Sequence, residues 1–259
     1  MSKTFTTLSQ SECRQVFQSI LNDSEELWES GKILADNKRF GHAIPFLINS
    51  IEEQIKALIL FLDGEGFSFR QTKGVDTFFR NHEIRHALAY LMFVMNLFGG
   101  EVLKFLQQVR DNPEKLLQLR NEIISTEDYI EKKLKFYLFR KAIYLKQEYQ
   151  WFSKLDLFRQ DGFYSKYDGT LKLPMQIGAN EFDQHIQRLQ KTKQTIAGLI
   201  EAFQTTDPGM KNHIAELRKD CIRKKYYEKI SAVLTKLRQD RGSAFEHFAT
   251  NLNKTIKGE

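Results

Sequence analysis

Apolar residues recur at intervals of three and four along most of the chain, which is the pattern of amphipathic helices that bury one face. Ser9 and Glu12 form a capping box ahead of an apolar stripe, so the pattern predicts a first helix over residues 9–38. The same periodicity predicts helices over 42–63, 76–98, 101–121, 126–157, 180–204, 209–238 and 243–256. The sequence therefore predicts an all-α fold.

Glycine and proline set the predicted boundaries. We expect Pro45 in the first turn of the second helix, where its missing N–H costs little, and Gly99-Gly100 at the end of the third. Residues 159–178 break the helical pattern. They contain the turn dipeptides Asp161-Gly162 and Asp168-Gly169, with short β-capable runs around the second. A small β-hairpin or ordered loop is predicted there.

Composition narrows the class of protein. Apolar residues make up 41% of the 259 residues and charged residues 28%, which suits a soluble helical protein, and the net charge of +6 favours an anionic partner. The longest apolar run, residues 87–98, is too short to cross a bilayer, and the N-terminus lacks a signal peptide. We expect a cytoplasmic protein without a membrane partner, with a helical domain over 1–205 and a helical extension over 206–259 packed on it.

The segment from Arg80 to His86 carries the first candidate chemistry. His82, Glu83 and His86 match the HExxH motif, in which two histidines four residues apart bind zinc and the glutamate acts on the bound water. However, Arg85 places a cation beside both ligands. The nearest downstream acid for a third ligand, Glu101, also follows the predicted helix stop. A zinc peptidase is therefore the least favoured interpretation.

The same segment fits a ribonuclease that uses neither metal nor cofactor. A histidine exchanges a proton with the RNA 2′-hydroxyl or the leaving oxygen, while an arginine neutralises charge in the transition state. Cations at a helix N-terminus oppose the macrodipole, which suggests that an anionic ligand compensates them. The alternative is the solvated end of a core helix. The candidate catalytic residues are Arg80, Asn81, His82, Arg85 and His86, with the choice between the two histidines open.

Supporting residues are predicted elsewhere. Asn49, Glu53 and Lys56 lie within about 60° on the second helix, and Glu53 is placed to orient a histidine or arginine of the third, unless the stripe is only a solvated Glu53–Lys56 pair. Two basic segments interleaved with aromatics predict RNA binding, with solvated helix faces as the alternative. Their candidate residues are Lys132, Lys133, Lys135, Arg140, Lys141, Arg223, Lys224 and Lys225.

Three motifs in order resemble the AbiV family of abortive-infection proteins, within the HEPN superfamily. The resemblance covers roughly residues 10–205. The residues that carry it are Glu52, Glu53 and Lys56 on the second helix, His82 and Arg85 on the third, and Gly162, Phe163, Tyr164, Tyr167 and Pro174 in the later segment.

The resemblance implies a HEPN-like helical bundle and a homodimer with a composite active site. It also implies metal-independent RNA cleavage in antiphage defence, which shuts down translation when a phage component or another protein regulator activates it. The general HEPN pattern maps onto Arg80, Asn81 and His86, whereas the AbiV version stresses His82 and Arg85. The alternative function is a non-catalytic module that binds RNA, ribosomes or a phage protein.

Overall fold

The computed structural model describes residues 4–71, 79–111 and 144–223. Within those ranges the chain forms seven α-helices, one two-stranded hairpin and three short 3-10 turns, which confirms the all-α class. The helices are α1 (Gln10–Asp36), α2 (Phe40–Gly64), α3 (His82–Asp111), α4 (residues 144–152), α5 (Leu155–Phe163), α6 (Ala179–Phe203) and α7 (Pro208–Arg223), and the strands are β1 (Lys166–Asp168) and β2 (Thr170–Lys172).

Helix α2 lies at the centre of the bundle. It contacts α1 along its length and also packs against α3, α5 and α6. Eighteen of its 25 residues are buried, as expected for a helix that is apolar on nearly all sides. Its half-exposed positions include one stripe, called here the open stripe, formed by His42, Phe46, Asn49, Glu53 and Lys56.

The predicted start of the first helix is confirmed by its cap. The Ser9 hydroxyl accepts a hydrogen bond from the N–H of Glu12 at 3.2 Å, and the Glu12 carboxylate accepts one from the N–H of Ser9 at 2.7 Å. These two bonds satisfy donors that a helix N-terminus leaves without partners. The chain then turns sharply after α1, where Lys38 adopts a φ of 59°.

The hairpin is confirmed, but its predicted start is wrong. Gly169 has a φ of 67° and makes the turn between β1 and β2, as the Asp168-Gly169 dipeptide predicts. Asp161-Gly162, however, lies inside α5, which continues to Phe163. Gly162 serves close packing here, because a Cβ on it would stand 2.4 Å from both the Gly41 carbonyl oxygen and Pro45 Cγ.

Two other predicted boundaries are wrong. Pro45 is the sixth residue of α2, beyond the first turn, because the helix already begins at Phe40. Gly99-Gly100 does not end the third helix, which runs on to Asp111. Glycine costs only about 1 kcal/mol relative to alanine in a helix, and good helix formers follow the pair. The sequence objection that a helix stop separates Glu101 from the histidines therefore no longer holds.

The predicted helix over 126–157 is interrupted at residues 153–154, where α4 gives way to α5. The Ser153 hydroxyl donates to the carbonyl of Gln150 at 2.9 Å, a local bond that competes with the helical ladder. The prediction over 180–204 is confirmed by α6, and α7 confirms the start of the helix predicted from 209. Residues 112–143 and 224–259, with the predictions that fall on them, lie outside the described ranges. None of the described helices has the length and apolar character needed to cross a membrane.

Candidate active site

A buried carboxylate on α2 gathers the polar residues at the start of α3. His82 Nδ1 lies 2.6 Å from Oε2 of Glu52, and His86 Nε2 lies 2.8 Å from Oε1. Arg85 donates to Oε2 through Nε at 3.1 Å and Nη2 at 2.7 Å. These four residues form what we call the Glu52 cluster. Three of the five predicted catalytic residues thus share one anion.

The carboxylate of Glu52 fixes the hydrogen positions on both imidazoles. An ionised carboxylate only accepts hydrogen bonds, so His82 must carry a hydrogen on Nδ1 and His86 one on Nε2. Arg85 Nη2 also lies 2.8 Å from His82 Nδ1, because both donors converge on the same oxygen. Neutral His82 therefore has its lone pair on Nε2, the nitrogen that points away from Glu52. That nitrogen is able to accept a proton.

The surrounding donors keep Glu52 ionised. Burial alone would raise the pKa of this carboxyl, but the hydrogen bonds from His82 and His86 and the charges of His86 and Arg85 outweigh it. The pKa of Glu52 consequently lies well below its usual range. A fixed negative charge beside two imidazoles orients their rings and stabilises any imidazolium that forms.

Exposure separates the two histidines that the sequence leaves equivalent. The His82 side chain is 40% exposed, whereas those of His86 and Arg85 are 4% and 3% exposed. Arg85 also donates through Nη1 to the Phe79 carbonyl at 3.1 Å, so all three of its nitrogens are engaged. Within the Glu52 cluster, His82 is the residue that a large substrate can touch without rearrangement.

The remaining two residues of the predicted catalytic set lie outside the Glu52 cluster. The Asn81 side-chain oxygen accepts a hydrogen bond from the N–H of Ile84 at 3.4 Å, which is the geometry of a helix cap on α3. Arg80 is exposed and lines a surface pocket together with Phe79 and Phe5. In the described part of the chain, no hydrogen bond or ion pair involves the Arg80 side chain.

The supporting residues on α2 share one stripe as predicted, but Glu53 does not have the role expected of it. Glu53 pairs with Lys56 at 2.5 Å on its own helix, and it is Glu52 that contacts the histidines and the arginine. Asn49 lies half-exposed on the open stripe with Glu53 and Lys56. The sequence contained a signal for this role of Glu52. Glu52 lies between Ile48 and Ile55 on the apolar side of the helix, and a buried acid needs a polar or charged partner.

A family model described as AbiV, of the HEPN group, matches residues 12–195, which is most of the chain. The chain belongs to the AbiV family. The Glu52 cluster lies within the matched range, as does the hairpin. No curated protein and no solved structure matches the chain significantly.

The AbiV-like motifs divide into two structural groups. Glu52, His82 and Arg85 meet in the Glu52 cluster, whereas the later motif holds helices together. A Cβ on Gly41 would stand 1.8 Å from the Pro174 carbonyl oxygen, and His42 Nδ1 lies 2.9 Å from the Gly162 carbonyl oxygen. The later AbiV motif thus fixes α5 and the turn after the hairpin against the start of α2.

An ion pair on α5, which the sequence analysis did not single out, lies close to the Glu52 cluster. Arg159 Nη2 donates to Asp156 at 2.6 Å. Burial would raise the pKa of Asp156, but the hydrogen bond and charge of Arg159, together with the charges of His82 and His86, lower it. Asp156 is therefore near enough to the two histidines for their charges to act on it.

The histidine spacing of the zinc motif is present, but the rings face Glu52. Both His82 and His86 hydrogen-bond to that carboxylate. Among the described residues, no three His, Cys, Asp or Glu side chains are grouped so that they could hold a metal ion.

The predicted RNA-binding residues of this AbiV-family chain are almost all outside the described ranges. Residues 132–141 and 224–225 are not covered, and Arg223 is the last residue of α7, known by its backbone position alone. Their role stays a prediction.

Proposed function

We propose that this chain is an endoribonuclease of antiphage abortive infection that cleaves RNA without a metal ion. The observation that carries the proposal is the hydrogen bond from His82 Nδ1 to the buried, ionised Glu52. It leaves Nε2 of a half-exposed imidazole as a base, and a carboxylate behind the ring supports the imidazolium that follows. Membership of the AbiV family agrees with this reaction class.

The proposed reaction uses the substrate's own nucleophile. His82 Nε2 takes the proton of the 2′-hydroxyl, and the 2′-oxygen forms a bond to the adjacent phosphorus. The bond from phosphorus to the 5′-oxygen breaks, and that oxygen takes up a proton from solvent. The products are a 2′,3′-cyclic phosphate and a 5′-hydroxyl end. No water molecule has to be activated, which is why the reaction needs no metal.

Arg85 and His86 act as positioning residues in this proposal. Their side chains are almost fully buried and hold the Glu52 carboxylate from two sides. Arg85 contributes a fixed positive charge near the reacting phosphate, while Asn81 fixes the start of the helix that carries His82.

We propose a homodimer as the active form, with a composite site. Arg80 precedes the first residue of α3, and within the described residues its side chain makes no hydrogen bond or ion pair with the Glu52 cluster. An exposed arginine beside the site is well placed to reach the site of a second copy. The RNA is held by the basic segments predicted from the sequence, and a phage-encoded activator or another protein regulator switches on cleavage, which then stops translation.

The decisive experiment incubates the purified protein with total cellular RNA in EDTA, with and without an extract of phage-infected cells as the source of the activator, and examines the ends of the products. We expect cleavage in EDTA with 2′,3′-cyclic phosphate ends, at least 100-fold slower in His82→Ala, because a positioned base contributes about 10²–10⁴-fold. Glu83→Gln is the matched control, since Glu83 belongs to the zinc motif and not to the Glu52 cluster, and it should cleave normally. Sedimentation of the active protein measures the dimer.

Two results would contradict this proposal. Cleavage that disappears in EDTA, or in Glu83→Gln, would indicate metal chemistry instead. If His82→Ala blocked growth of infected cells as well as the parent does, the chain would act as a non-catalytic module that binds RNA, ribosomes or a phage protein.

A further inference from the structure

The geometry points to Arg159 on α5 as the residue that binds the substrate phosphate at the Glu52 cluster, where it exchanges its contact with Asp156 for the phosphodiester. This inference rests on the proposed function, because it takes the RNA backbone to be the ligand of the site. It assigns a binding residue that lies far in sequence from the histidines. The inference is based on two observations. Arg85 and Arg159 differ in the hydrogen-bond donors they have available, and α5 packs against α2.

Arg85 does not have the donors for this task. Two of its nitrogens hold Glu52 and the third donates to the Phe79 carbonyl, and the side chain is 3% exposed. To reach a phosphate it would have to abandon a buried carboxylate, which would leave that charge without its strongest partner. A cation that contacts the substrate phosphate must therefore be a residue other than Arg85.

Helix α5 carries the Asp156–Arg159 pair towards the cluster. At its C-terminal end Gly162 packs on Gly41 and Pro45 of α2, and α5 also contacts α3. Asp156 lies six residues before Gly162, a rise of about 9 Å, while Glu52 lies seven residues after Pro45, about 10 Å along α2. With α5 antiparallel to α2, these two rises match and set Asp156 beside the Glu52 cluster. The charges of His82 and His86 lower the pKa of Asp156, in agreement with this placement.

Arg159 has donors that the folded chain does not use. In the described structure its Nε is shielded from solvent and has no hydrogen-bond partner, while Nη2 donates to Asp156. The side chain as a whole remains 23% exposed. A planar guanidinium with unused donors matches the paired oxygens of a phosphate.

Asp156 occupies the place of that anion while no substrate is bound. It also accepts a hydrogen bond from Gln160 at 2.8 Å, so it keeps a partner after Arg159 leaves it. The exchange replaces one anion by another as the partner of the same guanidinium. This gives the site a phosphate contact from α5 and a base from α3.

The test measures RNA binding separately from cleavage. The probe is a short single-stranded RNA with 2′-O-methyl groups, which lacks the nucleophile and stays intact, and its affinity is read by fluorescence anisotropy in EDTA. We expect Arg159→Ala to bind it about tenfold or more weakly, since a charge-assisted bond is lost. Arg159→Lys keeps the positive charge but lacks the planar set of N–H donors of a guanidinium, so it should recover only part of the affinity.

Lys166→Ala is the matched control. Lys166 pairs with Asp161 at 2.6 Å at the other end of α5, so its removal deletes an equivalent surface cation away from the cluster. It should bind the probe within about twofold of the parent, while Arg159→Ala should also show a shallower dependence of affinity on salt. Circular dichroism and a melting curve confirm that each variant is folded. A purely structural role of Arg159 would change the melting curve but leave the salt dependence unchanged.

The outcomes separate this inference from the proposed function. Normal probe binding by folded Arg159→Ala and Arg159→Lys overturns the inference, whether or not the parent cleaves RNA. Failure of the parent to bind the probe also overturns it. If the parent binds the probe through Arg159 but cleaves no RNA even with the extract of phage-infected cells, the inference stands and the proposed nuclease activity is wrong. If His82→Ala binds normally without cleaving while Arg159→Ala loses binding, both are supported.

Discussion

Two adjacent glutamates on α2 have opposite environments. Glu52 is buried and accepts hydrogen bonds from three side chains of α3. Glu53 is turned about 100° away and pairs with Lys56 near the surface. Because the two side chains are chemically the same, comparing them shows what burial does to a carboxylate.

Glu52→Gln removes the anion but keeps the shape of the side chain. We expect the free energy of unfolding to fall by about 3–5 kcal/mol, because the buried Arg85 loses its counter-ion. Glu53→Gln should lower it by only about 0.2–0.5 kcal/mol, the size of a pair within one helix. Urea denaturation at pH 7 measures both. Equal losses for the two variants would show that Glu52 does not anchor the cluster.

The sequence could locate these residues but could not choose between them. Helical spacing identifies the polar stripe of Glu53 and Lys56, and the stripe is where it was expected. The spacing alone does not show which side of α2 faces α3. The residue that contacts the histidines is therefore Glu52, and not Glu53 as expected. The exposure of His82 and the position of Arg159 depend on helix packing, to which local sequence gives no access.

At the scale of the elements, glycine allows α5 to approach α2. Gly162 and Gly41 lie where backbone from another element leaves no room for a side chain. This explains why a dipeptide that resembles a turn lies inside a helix. In a sequence, glycine indicates either an unusual φ or a close approach, and the two cannot be distinguished without the neighbouring element.

Gly162→Ala should destabilise the chain and Gly198→Ala should not. A Cβ at residue 162 would overlap the Gly41 carbonyl and Pro45, which costs about 1–3 kcal/mol. Gly198 lies within α6 with no atom within 4 Å of an added Cβ, so alanine there should stabilise by up to about 1 kcal/mol. Melting temperatures of the two variants give the comparison. An unchanged melting temperature for Gly162→Ala would mean that α5 moves away without cost.

At the scale of the whole molecule, we expect stability to depend on pH through a buried histidine that is not part of the sequence-predicted site. His185 on α6 lies between Trp151 and Phe158, with ring centroids 5.4 and 4.6 Å away. Burial, followed by the charge of Arg188, lowers the pKa of His185 to about 4. The unfolded chain therefore binds a proton at this residue at a higher pH than the folded chain does.

The sign of the effect follows from that difference. The contribution of His185 is complete above pH 6.5 and is lost as pH falls to about 4, an overall loss of about 3 kcal/mol. His185→Leu should remove this slope, as measured by urea denaturation at several pH values. Glu52 acts in a lower window, since its contribution is lost only as pH falls below about 4.5. An unchanged slope between pH 6.5 and 4.5 in His185→Leu would contradict the assignment.

The sequence predicted the long helices better than the points at which helices break or continue. Long periodic segments such as α1, α2 and α6 were found within a few residues, because a buried stripe repeats over many turns. The break at Ser153 and the passage of α3 through Gly99-Gly100 were not found. Both depend on a balance of about 1 kcal/mol that tertiary contacts decide.

The central position of α2 also has a consequence for hydrogen exchange. Amides in an enclosed helix exchange with deuterated water only when the surrounding helices separate, whereas those near an open helix end exchange through local fraying. The backbone around Glu52 should therefore remain protonated as long as the bundle stays intact. The first turn of α3, which carries His82, should take up deuterium much sooner. We therefore expect the anchor, Glu52, and the proposed base, His82, to belong to units that open at different rates.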